Sequence, residues 1–334
     1  MKKKSVIFTT AVLLLTLPVM MAVAGPKDQG SSKETTVAGV VYLEDQFMRL
    51  LSMGYEDAAK EAGVKVLLAN TGNDQAKEAE LVNTYVSQGV AGLVIAPLNT
   101  DTSIPVLQRA SSTMKIATCD RMLTNAPFIV GGFASDNENL GATTGAAAAE
   151  FIKNNLGGRA KIAIIQFRAL LPDQSAARVK GFMDAVKKVN PNVEFVADQD
   201  AWVPDTAVQK AGDILTSNRD INLIFAANDG GTIGSVMAVK NAGLAGKCFV
   251  FGIDTGEQQI AMLRDQDNIL QAVTGQDPYT QGYNAMKLLI GAINGKDYSA
   301  TKGKVAIVPG QMLSRKDLAG IDAYERNLKT KLSR

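Results

Sequence analysis

The chain contains no histidine and only two cysteines, Cys119 and Cys248. Without an imidazole, Ser-His-Asp and Cys-His nucleophilic machinery is excluded, as are zinc sites of the common His-containing types. Carboxylates and lysines remain, so the absence does not exclude every enzyme. An exported protein can form disulfides. Both cysteines, however, sit at the ends of strand-like apolar runs, Cys119 at the close of one and Cys248 at the opening of another, that belong to different lobes in the layout below, which predicts two buried free thiols.

Aromatic residues are scarce, at 6%, and Trp202 is the single tryptophan. Charge of one sign is also lacking. The first residues, "MKKKSVIFTTAVLLLTLPVMMAVAGPKD", place Lys2, Lys3 and Lys4 before an apolar stretch broken by Pro18. Ala22-Val23-Ala24 then forms a small-x-small cleavage signal before Gly25. This is the layout of a secretory signal peptide, removed after Ala24 on export. Its removal leaves 32 basic against 33 acidic residues. A near-neutral protein gives no reason to expect nucleic acid or an anionic membrane as partner. No later apolar run reaches the roughly 18 residues that a spanning helix needs.

What the chain does contain is alternation. Short apolar runs fall at 37–43, 64–69, 91–96, 114–119, 127–133, 160–166, 193–198, 221–227, 247–253, 269–275 and 304–309. Most are continuously apolar, as strands buried on both faces should be. Helical patterns lie between them. Phe47, Leu50, Leu51, Gly54 and Ala58 make one stripe at helical spacing, and Gly63 supplies a stop signal. Strand-helix alternation predicts α/β architecture with parallel sheets and right-handed crossovers. Eleven strands are many for one sheet, so two sheets of five or six are expected, with a boundary near Phe133–Gly141.

In such sheets, ligands sit beyond the carboxyl ends of the strands. The residues that follow each run are therefore the candidate site. After the first come Glu44, Asp45, Gln46, Phe47 and Met48; after the fourth, Asp120 and Arg121. Later tips give Trp202, Asn228-Asp229, Asp254 and Gln276-Asp277, and a helix after residue 173 carries Arg178. As a surface ion pair, Asp120-Arg121 would contribute little. At a strand tip, the same pair offers an acceptor and a forked donor to a small polar molecule. Asp229 is expected to cap the next helix and Asn228 to face the ligand.

At these residues the chain resembles periplasmic sugar-binding proteins of the ribose-binding type, the type I solute receptors of ABC importers. The resemblance covers about residues 36–310. It rests on the order and spacing of "LEDQFMRLLSMGYEDAAKEAGV", "IAPLNTD", "CDRM", "ASDNENLG", "SAARVKGF", "FAANDGGTIGSVMAVKNAG", "FGIDTGEQ" and "AVTGQDPYTQGYNAMKLL". It implies two doubly wound parallel-sheet lobes, 36–135 plus 277–306 and 136–276 plus 307–334. Three hinge segments near 134–136, 275–278 and 305–307 would join them.

The resemblance also implies a ligand site made of Asp45, Phe47, Met48, Asp120, Arg121, Arg178, Trp202, Asn228, Asp254 and Gln276. Arg121 and Arg178 would offer planar donor forks, and Asp120 and Asp254 charged acceptors for hydroxyl protons. Phe47 and Trp202 would cover the apolar face of a sugar ring. The chain departs from the ribose pattern at Asp45, Met48, Ala96 and Ile253, which leaves a more acidic and less aromatic pocket. The ligand is then a pentose, hexose, sugar alcohol or amino sugar. No cofactor and no catalytic residue are implied; the expected partner is a membrane permease, and the receptor itself is expected to be monomeric. A regulator's effector domain, a carboxylate glycosidase and a chemoreceptor or quorum-signal receptor are the competing readings.

Overall fold

The computed structural model describes residues 34–123 and 125–333, so the expected signal peptide lies outside the described residues. The first sheet begins with β1 (Thr36–Val41), α1 (Gln46–Glu61), β2 (Lys65–Asn70), α2 (Gln75–Gln88) and β3 (Gly92–Ile95). It continues with α3 (Thr100–Ala110), β4 (Lys115–Cys119) and β5 (Gly131–Ala134). The chain then passes through α4 (Asn137–Asn155) into a second sheet. This is built from β6 (Lys161–Gln166), α5 (Pro172–Val189), β7 (Glu194–Asp200), α6 (Pro204–Ser217) and β8 (Leu223–Ala226). It is completed by α7 (Asp229–Asn241), β9 (Phe249–Ile253), α8 (Glu257–Arg264) and β10 (Leu270–Gly275). Helix α9 (Pro278–Ile293) returns to the first sheet, where β11 (Val305–Ile307) pairs with β5. The chain crosses once more to β12 (Gln311–Ser314) and ends in α10 (Leu318–Leu332).

The strand orders are β11-β5-β4-β3-β1-β2 and β12-β10-β9-β8-β6-β7. All neighbours are parallel except β10 and β12. The central strands are buried along their whole length, as their unbroken apolar sequences require: "GLVI" in β3, "LIFA" in β8 and "FVFGI" in β9. The edge strand β2 is partly exposed throughout. Each sheet and the helices that cover it form one lobe of an α/β fold.

Three details differ from the sequence expectation. A twelfth strand, β12, lies at the edge of the second sheet. Its sequence "QMLS" has one buried residue, Leu313, and so carries no apolar run to recognise. The fifth strand begins at Gly131 rather than at Pro127, which lacks the amide donor a ladder needs. The third crossing falls at Val308–Gly310 rather than 305–307, because Val305–Ile307 still pair with Gly132–Ala134.

Two glycine pairs seat the crossing helices. A Cβ on Gly54 of α1 would lie 2.4 Å from the Tyr279 carbonyl, and one on Gly282 of α9 would lie 2.2 Å from the Leu51 carbonyl. In the other lobe, a Cβ on Gly141 of α4 would lie 1.9 Å from the Arg178 carbonyl, and one on Gly181 of α5 would lie 2.0 Å from that of Glu138. No other side chain permits such approaches. The second contact also fixes the height of Arg178 on α5. Cys119 and Cys248 are buried free thiols, in keeping with the expectation from their positions.

Candidate functional site

The carboxyl-terminal tips of both sheets line a cavity of about 550 Å³. Nine of the ten expected residues line it: Asp45, Phe47, Met48, Asp120, Arg178, Trp202, Asn228, Asp254 and Gln276. The volume lies within the range usual for small-molecule sites.

Two aspartates anchor the site by the same backbone device. Asp120 follows β4 with φ of 64°, and Asp254 follows β9 with φ of 70°. This left-handed conformation disfavours most side chains, but aspartate is among the residues that tolerate it. Each amide stays bonded to the next strand, Asp120 to the Phe133 carbonyl and Asp254 to that of Thr274, both at 2.9 Å. The chain thus turns away from the sheet without losing a ladder bond, and the carboxylate is left at the strand tip.

Their partners differ. The Tyr42 hydroxyl donates to Oδ2 of Asp120 at 2.9 Å. Burial pushes the Asp120 carboxyl above its ordinary value, while Arg121 and the Tyr42 hydroxyl pull it back. Asp254 accepts from Nε2 of Gln276 at 2.7 Å and from Nη1 of Arg178 at 3.3 Å. Arg178 is 3% exposed. Its other bonds run to the Asn137 side-chain oxygen and the Ala227 carbonyl, both at 2.8 Å. Its guanidinium stacks 4.9 Å from the centre of the Phe167 ring. A cation near a helix N-terminus opposes the helix dipole, and Asp254 supplies the compensating charge.

Arg121 is the one expected residue outside the lining set. It is buried behind the wall, where Nε donates to the Pro97 carbonyl at 3.1 Å and Nη2 to that of Leu98. It ties the loop after β3 to the loop after β4.

Two further acids occupy helix N-termini. Asp45 caps α1 through Oδ1, which accepts the Met48 amide at 2.8 Å. Burial, then the Asp254 and Asp120 carboxylates, raise it against the pull of the Met48 amide. At α7 the expected roles of two residues are reversed in part. Asn228 is the N-cap: its extended backbone lets Oδ1 accept the Gly231 amide at 3.2 Å, while Nδ2 donates to the Trp202 carbonyl at 2.8 Å. Asp229 stands in the first turn and lines the cavity. Burial, followed by Asp254 and Asp45, pushes Asp229 up to about 7.

Sequence reasoning also missed Gln174, Phe167 and Gln259, all of which line the cavity. Gln174 precedes Arg178 by four residues on α5, a spacing that puts both on one face. Its Nε2 donates to the Asp120 carbonyl at 2.9 Å and so joins the lobes across the cleft. Arg168, in the loop after β6, pairs at the surface with Asp198 at 3.2 Å and does not line this cavity. Glu44 is exposed at the cavity edge and accepts from Asn70 at 2.8 Å. Among the described residues no cluster of histidine, cysteine or acidic groups has the arrangement of a metal site, and no helix is long and apolar enough to cross a membrane.

Comparison with known proteins agrees with this architecture. The "ABC transporter periplasmic-binding protein YphF" of Escherichia coli is 30% identical over 252 residues, 73% of this chain and 76% of its own. The "Ribose import binding protein RbsB" of Bacillus subtilis is 29% identical over 307 residues, 90% of this chain and 96% of its own. Among solved structures, an ABC transporter periplasmic solute binding protein from Actinobacillus succinogenes with bound D-allose superimposes with a TM-score of 0.77 at 25% identity. That match covers 87% of this chain and all of the other. Residues 39–297 match the family described as periplasmic binding protein domain, and the chain, with its two lobes and a polar cavity at their strand tips, belongs to that family.

Proposed function

We propose that the protein is the solute receptor of an ABC importer, and that it binds a monosaccharide or polyol in the cavity between its lobes. The observation that carries this reading is the lining itself. Asp120 and Asp254 offer charged acceptors, Arg178 a forked donor, Asn228 and Gln276 amides, and Phe47 and Trp202 apolar faces. That mixture suits a molecule with hydroxyls around its edge and C–H groups on its faces. A ligand lacking one hydroxyl leaves a buried polar group unpaired, which costs about 1–3 kcal/mol and sets the specificity.

Mechanism follows from the placement of these groups on both sheets. A ligand that bonds both lobes favours the closed arrangement over the open one, and hinge closure at the three crossings excludes water. The closed receptor then presents both lobe faces to a membrane permease. The relatives named for import of ribose and for ABC transport support this reading. Export to the periplasm follows from the same assignment.

The test is a thermal-shift screen of pentoses, hexoses, polyols and amino sugars. A specific binder at 100 times its Kd is expected to raise stability by about 2.7 kcal/mol. A panel in which no member shifts the transition contradicts the proposal. Chemical change of a binding sugar would instead favour an enzyme.

A further inference from the structure

The four aspartates that line the cavity, beside Glu44 and Glu257, are not equally matched. Asp120 has the Tyr42 hydroxyl bond and Arg121 beside it, and Asp254 has Arg178 and Gln276. Among the described residues, Asp45 and Asp229 form no ion pair. Among the described residues their bonds come from neutral donors: the Met48 and Phe47 amides to Asp45, and the Gly230 amide at 2.7 Å and the Asn228 side chain at 3.2 Å to Asp229. Of the two arginines near the acids, only Arg178 lines the cavity; its Nε and Nη1 already serve Asn137, the Ala227 carbonyl and Asp254, which leaves Nη2 for a ligand oxygen and no bond to Asp45 or Asp229. Asp45 comes from the first lobe and Asp229 from the second, so closure of the lobes confines two carboxyl groups that have no cationic partner, and a positive charge between them favours the ionised form of both.

A second observation points to the occupant separately. Gln259 is 1% exposed and lines the same cavity. Its Oε1 accepts the Gly256 amide at 2.7 Å, but its Nε2 is buried with no hydrogen-bond partner. An orphaned amide donor of this kind costs free energy until a ligand oxygen meets it. An occupant that brings an oxygen acceptor together with a positive charge answers both features of the lining.

Resting on the reading of the chain as a receptor for sugars or polyols, we propose that its ligand is a polyhydroxylated cation. It is a monosaccharide or cyclitol that carries one ammonium group, held by Asp45 and Asp229, with a hydroxyl oxygen accepting from Gln259. A neutral sugar leaves those two carboxylates without a countercharge in the closed cleft, which disfavours closure. An ammonium has three donors and a full charge, and it satisfies both.

Paired ligands test this by calorimetric titration: D-glucose against D-glucosamine, D-galactose against D-galactosamine, and myo-inositol against a monoamino-inositol. The buffer is held near pH 7, below the ordinary α-amino range of about 7.7–8.0, so that the amine is mostly charged and the Asp229 carboxyl is not held protonated throughout. At least one amine is expected to bind tenfold or more tighter than its neutral counterpart. Asp45→Asn and Asp229→Asn should each reduce that ratio to near one. Neutral members that bind as well as or better than their amines overturn this inference and leave the receptor reading intact. A preference for the amine that survives in both variants overturns the placement of the ammonium. No binding by any member of the three pairs counts against the receptor reading and this inference together.

Discussion

The two lobes present the same backbone device to the cleft with different chemistry around it. Asp120 and Asp254 stand at equivalent strand tips, with matching φ and matching amide bonds to the next strand. In the first lobe the nearby arginine, Arg121, turns away to two backbone carbonyls, and a tyrosine hydroxyl takes the carboxylate. In the second lobe the arginine faces the cavity and binds the carboxylate. The second lobe also carries Asp229 behind its third central tip, where the first lobe has Pro97 and Leu98. The difference teaches that the fold fixes where a functional group stands, while its neighbours decide whether it holds structure or meets a ligand.

The largest expected effect separates the two arginines. Arg178→Ala leaves the half-buried Asp254 with only its Gln276 bond and no cation, and it should cost about 3 kcal/mol of stability along with detectable sugar binding. Arg121→Ala removes charged donors from two carbonyls and should cost about 2 kcal/mol of stability. Any weakening of binding should be the smaller of the two. Thermal melts and titration of both variants measure this. Equal losses of affinity would erase the distinction drawn between the lobes.

Next comes the charge asymmetry. The Asp229 carboxyl is raised to about 7 in the folded protein, so between about 4 and 7 the folded state holds a proton that the unfolded state has released. Stability must then fall as pH rises through that window, by at most about 4 kcal/mol from this group. Asp45, Asp254 and Arg178 face the same cavity and modify the size but not the sign. Asp229→Asn should flatten the slope of denaturant-derived stability between pH 5 and 8, and should stabilise the empty protein near neutrality. An unchanged slope contradicts the assignment.

A smaller effect tests what the lobes share. Asp120→Ala and Asp254→Ala should each cost about 1–2 kcal/mol more than the corresponding asparagine variants, because alanine tolerates a left-handed conformation poorly. Similar penalties at the two sites are expected, and a large inequality would show that the shared turn is not energetically equivalent. The smallest effect belongs to Gln174→Ala. Loss of its bond to the Asp120 carbonyl should weaken the closed arrangement of the empty protein by about 1 kcal/mol, read as a shift toward larger dimensions in solution scattering.

Much of this was legible in the sequence because buried parallel strands announce themselves. Runs such as "GLVI" and "FVFGI" can be buried on both faces only, and the residues just after them must stand at the ligand edge. That logic brought Asp45, Asp120, Asn228 and Asp254 to one cavity. It could not tell how a long side chain turns. Arg121 sits at a tip, yet its guanidinium finds the Pro97 and Leu98 carbonyls, a choice made by tertiary packing. Nor could it divide labour between adjacent residues. Asn228 and Asp229 are both good caps, and only the extended backbone at Asn228 decides which one caps. β12 was hidden because an exposed edge strand buries too little to leave an apolar signature.

The central claim is that one ligand is held by both lobes at once. Titration of the best binder from the sugar screen against Asp120→Asn and Asp254→Asn tests it most directly, since each variant removes one charge from one lobe. The account predicts at least a tenfold loss of affinity in both. Full affinity retained by either variant would mean that its lobe does not hold the ligand, and the bridging account would be wrong.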